Sequence, residues 1–194
     1  MDGHLRIAEQ SKYMLTKGLI DLMKSNKYAD ISVKDIANNA GLSRRTFYRT
    51  FKNKEAVLDS IGMSLILGYI QELRTFDDKQ LTFSDVISIF FQYWWKHKAT
   101  AQVLIGQDLF ISVLLKATRD ERSIKMYDLF KMPWHVDGSE DDIKYTMIFF
   151  TGGYWSVINS WLAEDHPMNP DKMSDILALA LKSLSKVTES LNKK

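Results

Sequence analysis

Apolar residues recur along this chain at the three- and four-residue spacing of an α-helix, and no segment alternates apolar and polar residues as a strand does. The prolines at positions 133 and 167 fall in segments that separate the periodic runs, and Pro170 follows Asn169 at the first position of a predicted helix. The pattern therefore predicts an all-α protein. The predicted helices cover residues 11–25, 33–39, 54–74, 82–96, 139–164 and 170–191, with a further pair inside 99–131 and a short helix after residue 43.

The short helices in the first third of the chain carry residues that favour helix ends. Ser32 is predicted to cap the helix over 33–39, and Asp35 stands in the position that completes a capping box. Gly41 permits a turn that would strain other residues, and Ser43 is predicted to cap the following helix. Two short helices joined by a turn that contains glycine predict a helix-turn-helix.

Positive charge is concentrated at one end of the chain. Residues 1–58 hold eleven Lys and Arg against six Asp and Glu, whereas residues 59–194 hold fifteen against eighteen, so the net charge of +2 divides into +5 and −3. A basic head on a neutral-to-acidic body is typical of a protein that binds DNA through the head. We therefore predict a helix-turn-helix DNA-binding domain at 1–58 and a helical body at 59–194.

The helix after Ser43 has the side chains of a recognition helix. Phe47 and Phe51 are four residues apart and are predicted to face the other helices of the head. Arginine can donate two hydrogen bonds to a guanine edge, and tyrosine can bind a phosphate. The DNA contacts predicted on these grounds are Ser43, Arg44, Arg45, Thr46, Tyr48, Arg49 and Lys54. The alternative is that the basic run is an ordinary solvated face.

Three motifs occur together in the head, namely Ser32-Val-Lys-Asp-Ile-Ala, Ala40-Gly-Leu-Ser, and Thr46-Phe-Tyr followed by Phe51-Lys-Asn-Lys-Glu. In this combination they resemble the TetR (tetracycline-repressor-like) family of bacterial transcriptional regulators. The resemblance covers about residues 11–60. It implies a three-helix DNA-binding head, an all-helical ligand-binding body and a homodimer.

The resemblance also implies roles for individual residues. It places DNA bases near Arg44, Arg45, Thr46 and Lys34, and phosphates near Ser32, Ser43, Tyr48 and Lys54. The expected protein is a ligand-responsive repressor that binds a palindromic operator in double-stranded DNA as a dimer and is released when a small molecule binds the body. Control by a protein partner, and activation instead of repression, are the alternatives.

The last two predicted helices carry apolar stripes with alternating spacings of four and three residues, which bury one helix against another. Gly152 and Gly153, in mid-helix, cost roughly 2 kcal/mol relative to two alanines, which close approach of another helix would compensate. In TetR-like proteins these two helices form a four-helix bundle between subunits. The expected interface residues are Met147, Tyr154, Val157, Trp161, Leu177 and Leu184. The alternative is a core seam within one chain.

Aromatic residues are concentrated in the middle of the body, and ligand pockets favour aromatic walls. We expect a small hydrophobic or aromatic effector, with a pocket lined by Phe90, Trp94, Phe110, Tyr127, Trp134 and Phe149. For any one of these residues an ordinary core position is the alternative.

Enzymatic and membrane functions find no support in the sequence. The chain has no cysteine, its four histidines share no metal-ligand spacing, and no nucleophile or nucleotide-binding fingerprint occurs. We therefore predict no enzymatic activity, no cofactor and no metal. The longest uncharged run is far shorter than the roughly 20 apolar residues that span a bilayer. We expect a soluble, cytoplasmic protein.

Overall fold

The computed structural model describes residues 3–76, 81–121 and 139–191 of the chain. Within these ranges every regular element is helical, which confirms the all-α prediction. The elements are α1 (Gly3–Met23), one turn of 3-10 helix (Tyr28–Asp30), α2 (Val33–Asn39), α3 (Arg44–Thr50), α4 (Lys54–Arg74), α5 (Phe83–Lys96), α6 (Lys98–Gly106), α7 (Phe110–Thr118), α8 (Glu140–Leu162) and α9 (Pro170–Leu191).

Most helices begin and end within two residues of the predicted positions, but α1 begins at Gly3, well before the predicted start at residue 11. Residues 6–10 of α1 are exposed, and Ile7 has 55% of its surface accessible. Ser11 lies inside the helix and its hydroxyl donates to the carbonyl oxygen of Ile7 at 2.9 Å. A helix end that faces solvent needs no apolar stripe, so the spacing of apolar residues did not predict the part of α1 before residue 11.

The first compact unit consists of the described residues of 1–67 and 99–125. Leu15 of α1, Ile36 of α2 and Phe47 of α3 are fully buried in its core. At Gly18 a Cβ atom would lie 3.3 Å from the carbonyl oxygen of Ile36. Glycine therefore allows α1 and α2 to pack at a short distance, and Asn39 Nδ2 donates to the Gly18 carbonyl at 3.0 Å beside this contact.

In the same unit α4 packs closely against α7. A Cβ atom at Gly62 would lie 2.5 Å from Cγ1 of Val113 and 3.1 Å from its carbonyl oxygen. Nearby, Lys116 Nζ donates to Asp59 Oδ2 at 2.6 Å. Residues 59–67 and 99–121 thus belong to the same compact unit as the head. The predicted boundary at residue 58 between the DNA-binding domain and the body stays a prediction.

The second compact unit consists of the described residues of 68–98 and 126–194. Its core is aromatic, and the ring centroid of Phe90 lies 5.0 Å from that of Tyr154 and 5.8 Å from that of Trp155. The ring of Trp161 stacks on Trp95 at 5.6 Å, and its indole N–H donates to the carbonyl oxygen of Met168 at 2.9 Å. These contacts join α5 and α8 within one chain.

Among the described helices, α4 alone is by itself long and apolar enough to cross a membrane on length and composition. Half of its most apolar window is buried inside the protein. Val57, Ile66 and Ile70 are fully buried. The apolar surface of α4 is therefore used in packing within the chain.

Candidate nucleic-acid interface

A complete capping box starts α2, as predicted. Ser32 Oγ accepts from the Asp35 N–H at 3.2 Å, while the hydroxyl and the backbone N–H of Ser32 donate to Asp35 Oδ2 at 2.6 and 2.9 Å. The two bonds that Asp35 Oδ2 accepts from Ser32 favour the charged form of the carboxyl, and the bond from the hydroxyl has the larger effect. They hold the pKa of Asp35 below its ordinary value. The start of α2 is therefore well defined.

The turn between α2 and α3 fixes the direction of the third helix. Gly41 has a φ of 65°, in the left-handed region that favours glycine. Ser43 Oγ accepts from the Thr46 N–H at 3.1 Å and lies 3.0 Å from Thr46 Oγ1. Phe47 is fully buried, so one face of α3 is anchored in the core of the head.

The opposite face of α3 carries positive charge without a compensating acid. Arg44, Arg45 and Arg49 are exposed, and within the described part of the chain none of them forms an ion pair. Tyr48 is 59% exposed and its ring packs edge-on against Phe47 at 5.5 Å. Guanidinium groups and a phenol on an anchored helix can donate to base edges and phosphates.

The other predicted base contacts lie beside this face. Lys34 is exposed on α2, whereas Thr46 is half-buried and its hydroxyl lies next to that of Ser43. The contact of these residues with bases stays a prediction.

The structure gives Lys54 a different role from the predicted phosphate contact. Its Nζ donates to the carbonyl oxygens of Tyr28, Ala29 and Ile31 at 2.7, 3.2 and 2.8 Å. It also lies 4.3 Å from the ring centroid of Tyr28. An ammonium group has three N–H donors, so none is left for a phosphate.

The hydroxyl of Ser32 is occupied in a similar way. Its one proton is donated to Asp35, and its oxygen accepts from the Asp35 amide. Binding a phosphate through this proton would break the capping box. Of the predicted phosphate contacts, Tyr48 is exposed, whereas the Ser43 hydroxyl shares a hydrogen bond with Thr46 Oγ1 in which either hydroxyl can donate.

Gln107, which follows α6, contacts the head and was missed by the sequence analysis. Its Oε1 accepts from the Tyr28 N–H at 2.8 Å, and its Nε2 donates to the carbonyl oxygens of Met23 and Asn26 at 2.8 and 2.9 Å. The partners lie about 80 residues away in the sequence, so no local pattern indicates them.

The predicted pocket residues do not gather in one place. Phe90 and Trp94 are buried in the second unit, and Phe110 is buried in the first. Phe149 is 72% exposed, so it does not line an enclosed cavity in the single chain. Tyr127 and Trp134 lie outside the described residues.

A shallow groove of about 320 Å³ lies between α5 and α9 in the second unit. It is lined by Phe83, Ser84, Ala178, Leu181 and Lys182. None of the predicted pocket residues takes part in this groove.

Among the predicted dimer contacts, Trp161 needs correction, because it is only 2% exposed and packs inside its own chain. Tyr154, Val157 and Leu177 are half-buried, and Leu184 is 56% exposed. The side chain of Met147 lies outside the described part. Trp161 thus packs in the core of its own chain, which is the alternative that periodicity left open, while a role of the half-buried residues in a dimer stays a prediction.

A different side of α8 and α9 is exposed and apolar. On α8 it carries Tyr145, Ile148 and Phe149, which are 63%, 43% and 72% exposed. On α9 it carries Ile176 and Leu179, which are 47% and 67% exposed. The helical spacing places these residues, together with Gly152 and Ala180, along one face of each helix. We call this surface the α8–α9 face.

No metal site is present among the described residues, since no three His, Asp or Glu side chains lie close enough together to hold an ion. The side chains of His4 and His135 lie outside the described part.

Comparisons with known proteins agree with the helix-turn-helix geometry. The family model described as "Bacterial regulatory proteins, tetR family" matches residues 16–61. A second model, "Transcriptional regulator C-terminal region", matches residues 81–183, which is more than half of the chain.

Individual proteins are similar over part or all of the chain. The HTH-type transcriptional regulator EthR of Mycolicibacterium smegmatis is 41% identical over 86 residues, covering 42% of this chain and 40% of EthR. The match thus spans about two fifths of this curated relative. The structure of Lin0861 from Listeria innocua has a TM-score of 0.73 at 18% identity, covering 95% of both chains. FadR from Bacillus subtilis, in complex with stearoyl-CoA, has a TM-score of 0.52 at 18% identity, covering 84% of this chain and 93% of FadR.

Proposed function

Because this chain belongs to the TetR family of bacterial regulatory proteins, we propose that it binds a palindromic operator in double-stranded DNA as a homodimer. A small molecule bound by the helices that follow the head releases it from DNA. It acts in the cytoplasm as a repressor. The exposed, cationic face of α3 is the observation that carries this proposal.

The DNA-binding part of the proposal is supported by the contrast between the two faces of α3. Phe47 anchors one face, while Arg44, Arg45, Tyr48 and Arg49 leave the other face positive and accessible. A charged face that is not balanced by nearby acids lowers its electrostatic energy by binding an anion, and phosphates of DNA supply one. The first residues of such a helix reach base edges in the major groove.

The homodimer is supported by the α8–α9 face. Its apolar side chains are exposed among the described residues of a single chain, and an apolar patch of this kind marks an interface. A Cβ atom at Gly152 or Gly153 would meet nothing within 4 Å, so neither glycine is needed for packing inside the chain. A second copy that packs closely at these glycines would offset their cost to the helix.

The effector is proposed to bind at the aromatic cluster of the second unit. Phe90, Tyr154 and Trp155 provide apolar walls, and the buried indole N–H of Trp155 has no acceptor among the described residues. A ligand with an apolar body and one hydrogen-bond acceptor would satisfy that donor. FadR, which shares the fold, binds stearoyl-CoA, whose acyl chain and carbonyl group have these properties.

An in vitro selection from random double-stranded DNA tests the function. The purified protein is expected to enrich a palindromic sequence. Arg45→Ala should then weaken binding to that sequence by about 1–3 kcal/mol, which is about 5- to 150-fold in affinity, and relax its preference at one position of each half-site.

Lys17→Ala is the matched control, because it removes one exposed positive charge from the solvent side of α1. It should leave the preference unchanged and reduce binding only slightly. Equal losses for the two variants would mean that α3 does not read the bases.

The effector proposal is tested separately with the selected operator. A thermal-shift series with acyl-CoA esters and fatty acids of increasing chain length should reveal a stabilising ligand, because a ligand that binds only the folded state raises its stability. The same ligand must weaken operator binding, by linkage. A ligand that stabilises the protein without weakening its binding to DNA would contradict release by an effector.

A further inference from the structure

The connection between α1 and α2 is held by two side chains from distant parts of the first unit. Lys54, the first residue of α4, donates to three of its carbonyl oxygens, and Gln107, after α6, binds a further amide and two further carbonyl oxygens. Six backbone groups between residues 23 and 31 are thus satisfied by two side chains. A connection of this length would otherwise depend on solvent for many of these bonds.

Lys54 is fully used by these contacts. All three of its N–H donors are bonded within 3.2 Å, and the Tyr28 ring covers the ammonium group at 4.3 Å. Turning the side chain towards a phosphate would remove this donor from the carbonyl oxygens of Ala29 and Ile31 and leave that of Tyr28 with the Ile31 N–H at 3.3 Å. Charged donors of this kind are among the stronger hydrogen bonds in proteins. The ammonium group of Lys54 therefore binds backbone carbonyl oxygens of the protein and not a DNA phosphate.

All hydrogen-bonding groups of the Gln107 side chain are likewise bonded within the protein. Its one acceptor oxygen and both of its donor hydrogens are bonded to the backbone of residues 23–28. It precedes Asp108, whose φ of 57° lies in the left-handed region, in the turn that joins α6 to α7. That turn is packed in the same unit as the head. Gln107 therefore ties the segment 98–118 to the connection before α2.

The held connection leads directly into the residues that start the helix-turn-helix. Ile31 is buried and accepts a bond from Lys54, and the next residue, Ser32, caps α2. A displacement of this connection would displace α2, and with it the turn to α3. A shift of about 1 Å is enough to weaken interactions that depend on precise positions.

We propose that Lys54 and Gln107 form a clamp on residues 23–31 that positions the helix-turn-helix for reading DNA. Lys54 acts as a positioning residue and not as a phosphate ligand. Gln107 makes the position of the head depend on the turn between α6 and α7. This inference rests on the proposed DNA-binding function.

The test compares variants of full-length protein on the selected operator and on a random-sequence duplex of equal length. Lys54→Met and Gln107→Leu remove the bonds while keeping similar volume. Each should weaken operator binding about tenfold, because the loss of these bonds lets the connection and the helix-turn-helix that follows it move. Binding of Gln107→Leu to the random duplex should change less than about twofold, because that binding depends mainly on charge and this variant removes none. Lys54→Met should weaken binding to the random duplex no more than the control Lys17→Ala does, since Lys54 contacts no phosphate.

The salt dependence of operator binding separates the two roles of Lys54. A phosphate ligand contributes about 0.9 to the slope of log affinity against log salt concentration. Lys54→Met should leave this slope unchanged, and Lys54→Arg, which keeps charged donors, should recover part of the affinity. A slope reduced by about one, with an unchanged ratio of operator to random-duplex affinity, would overturn the clamp.

Hydrogen exchange at the Tyr28 amide tests Gln107 without DNA. Gln107→Leu should speed this exchange, because it removes the oxygen that accepts from the Tyr28 N–H. Gln10→Leu, at an exposed position on α1, is the control. If Gln107→Leu had the same Tyr28 exchange rate and the same operator affinity as this control, the clamp would be refuted.

Failure of the wild-type protein to select any sequence would instead refute the proposed function, and the clamp's role in DNA reading with it.

Discussion

At the scale of single residues, hydrogen-bond donors decide which charged groups are available to a partner. Lys54 and Arg45 both carry a positive charge in the head, but the donors of Lys54 are bonded to three carbonyl oxygens, whereas Arg45 is exposed. Asp35 is likewise committed, since it accepts from both the hydroxyl and the amide of Ser32. Such internal bonds fix the backbone from which the exposed donors project.

The hydrogen bonds that Asp35 accepts from Ser32 make a pH-dependent contribution to the free energy of unfolding. The pKa of Asp35 is lowered in the folded state, so the unfolded chain binds the proton more readily. The carboxyl therefore stabilises the fold above the ordinary Asp pKa of about 3.9, and this contribution is lost as the pH falls through the lower folded-state pKa. Urea unfolding should show Asp35→Asn less stable than the wild type at pH 7, with the difference shrinking towards pH 3.

Asp175→Asn, at an exposed position on α9, is the control for the loss of one negative charge. Its effect on the free energy of unfolding should be smaller at pH 7. An Asp35→Asn deficit that stayed constant between pH 7 and pH 3 would contradict the role given to the capping box.

The sequence identified these residues in part. Ser32, Asp35 and Ser43 follow a local capping pattern, and the structure has the bonds that the pattern predicts. Lys54 and Gln107 have partners outside their own helices, and such long-range bonds have no signature in a single sequence. The DNA contacts were predicted from residue type, and residue type alone does not show which hydrogen-bond donors are already bonded within the protein.

At the scale of helices, glycine controls the closest contacts. Gly62 of α4 faces Val113 of α7 at a distance that leaves no room for a methyl group. Val113 is 5% exposed and branched at Cβ, so it has little freedom to move away. The salt bridge between Asp59 and Lys116, with both side chains partly exposed, contributes less than this packing.

Gly62→Ala should therefore destabilise the protein. The gain in helix propensity is about 1 kcal/mol, whereas overpacking of a tight contact costs about 1–3 kcal/mol. We expect a net loss of about 1 kcal/mol in the free energy of unfolding, measured in urea. At Gly106 a Cβ atom would meet nothing within 4 Å, so Gly106→Ala is the control. A Gly62→Ala protein as stable as this control would show that α4 and α7 do not pack so closely.

Helix positions were predictable because caps and apolar periodicity are local. The starts of α2, α4 and α9 agree with Ser32, Asn53 and Pro170 in the sequence. Which side of α8 faces inward was not predictable, since the helix is apolar on more than one side. Trp155, Ile158 and Trp161 lie inside, because the aromatic residues of α5 complete a core with them.

At the scale of the whole molecule, the proposal requires two copies of the chain. One recognition helix of seven residues offers few contacts, whereas two helices in a dimer bind two half-sites and multiply their affinities. The α8–α9 face is the surface that would join the copies. Leu179 is its most exposed aliphatic residue, with 67% of its surface accessible, so a charge there can disturb an interface without entering the core.

Titration of the selected operator with Leu179→Glu, followed by fluorescence anisotropy, tests most directly whether DNA is read by a pair of chains. Burying an unpaired carboxylate between the copies is costly, so this variant should be monomeric and bind the operator at least about 100-fold more weakly than the wild type. Leu179→Met keeps the face apolar and should bind as the wild type does. A monomeric Leu179→Glu protein with wild-type affinity would show that a single chain suffices to read the operator.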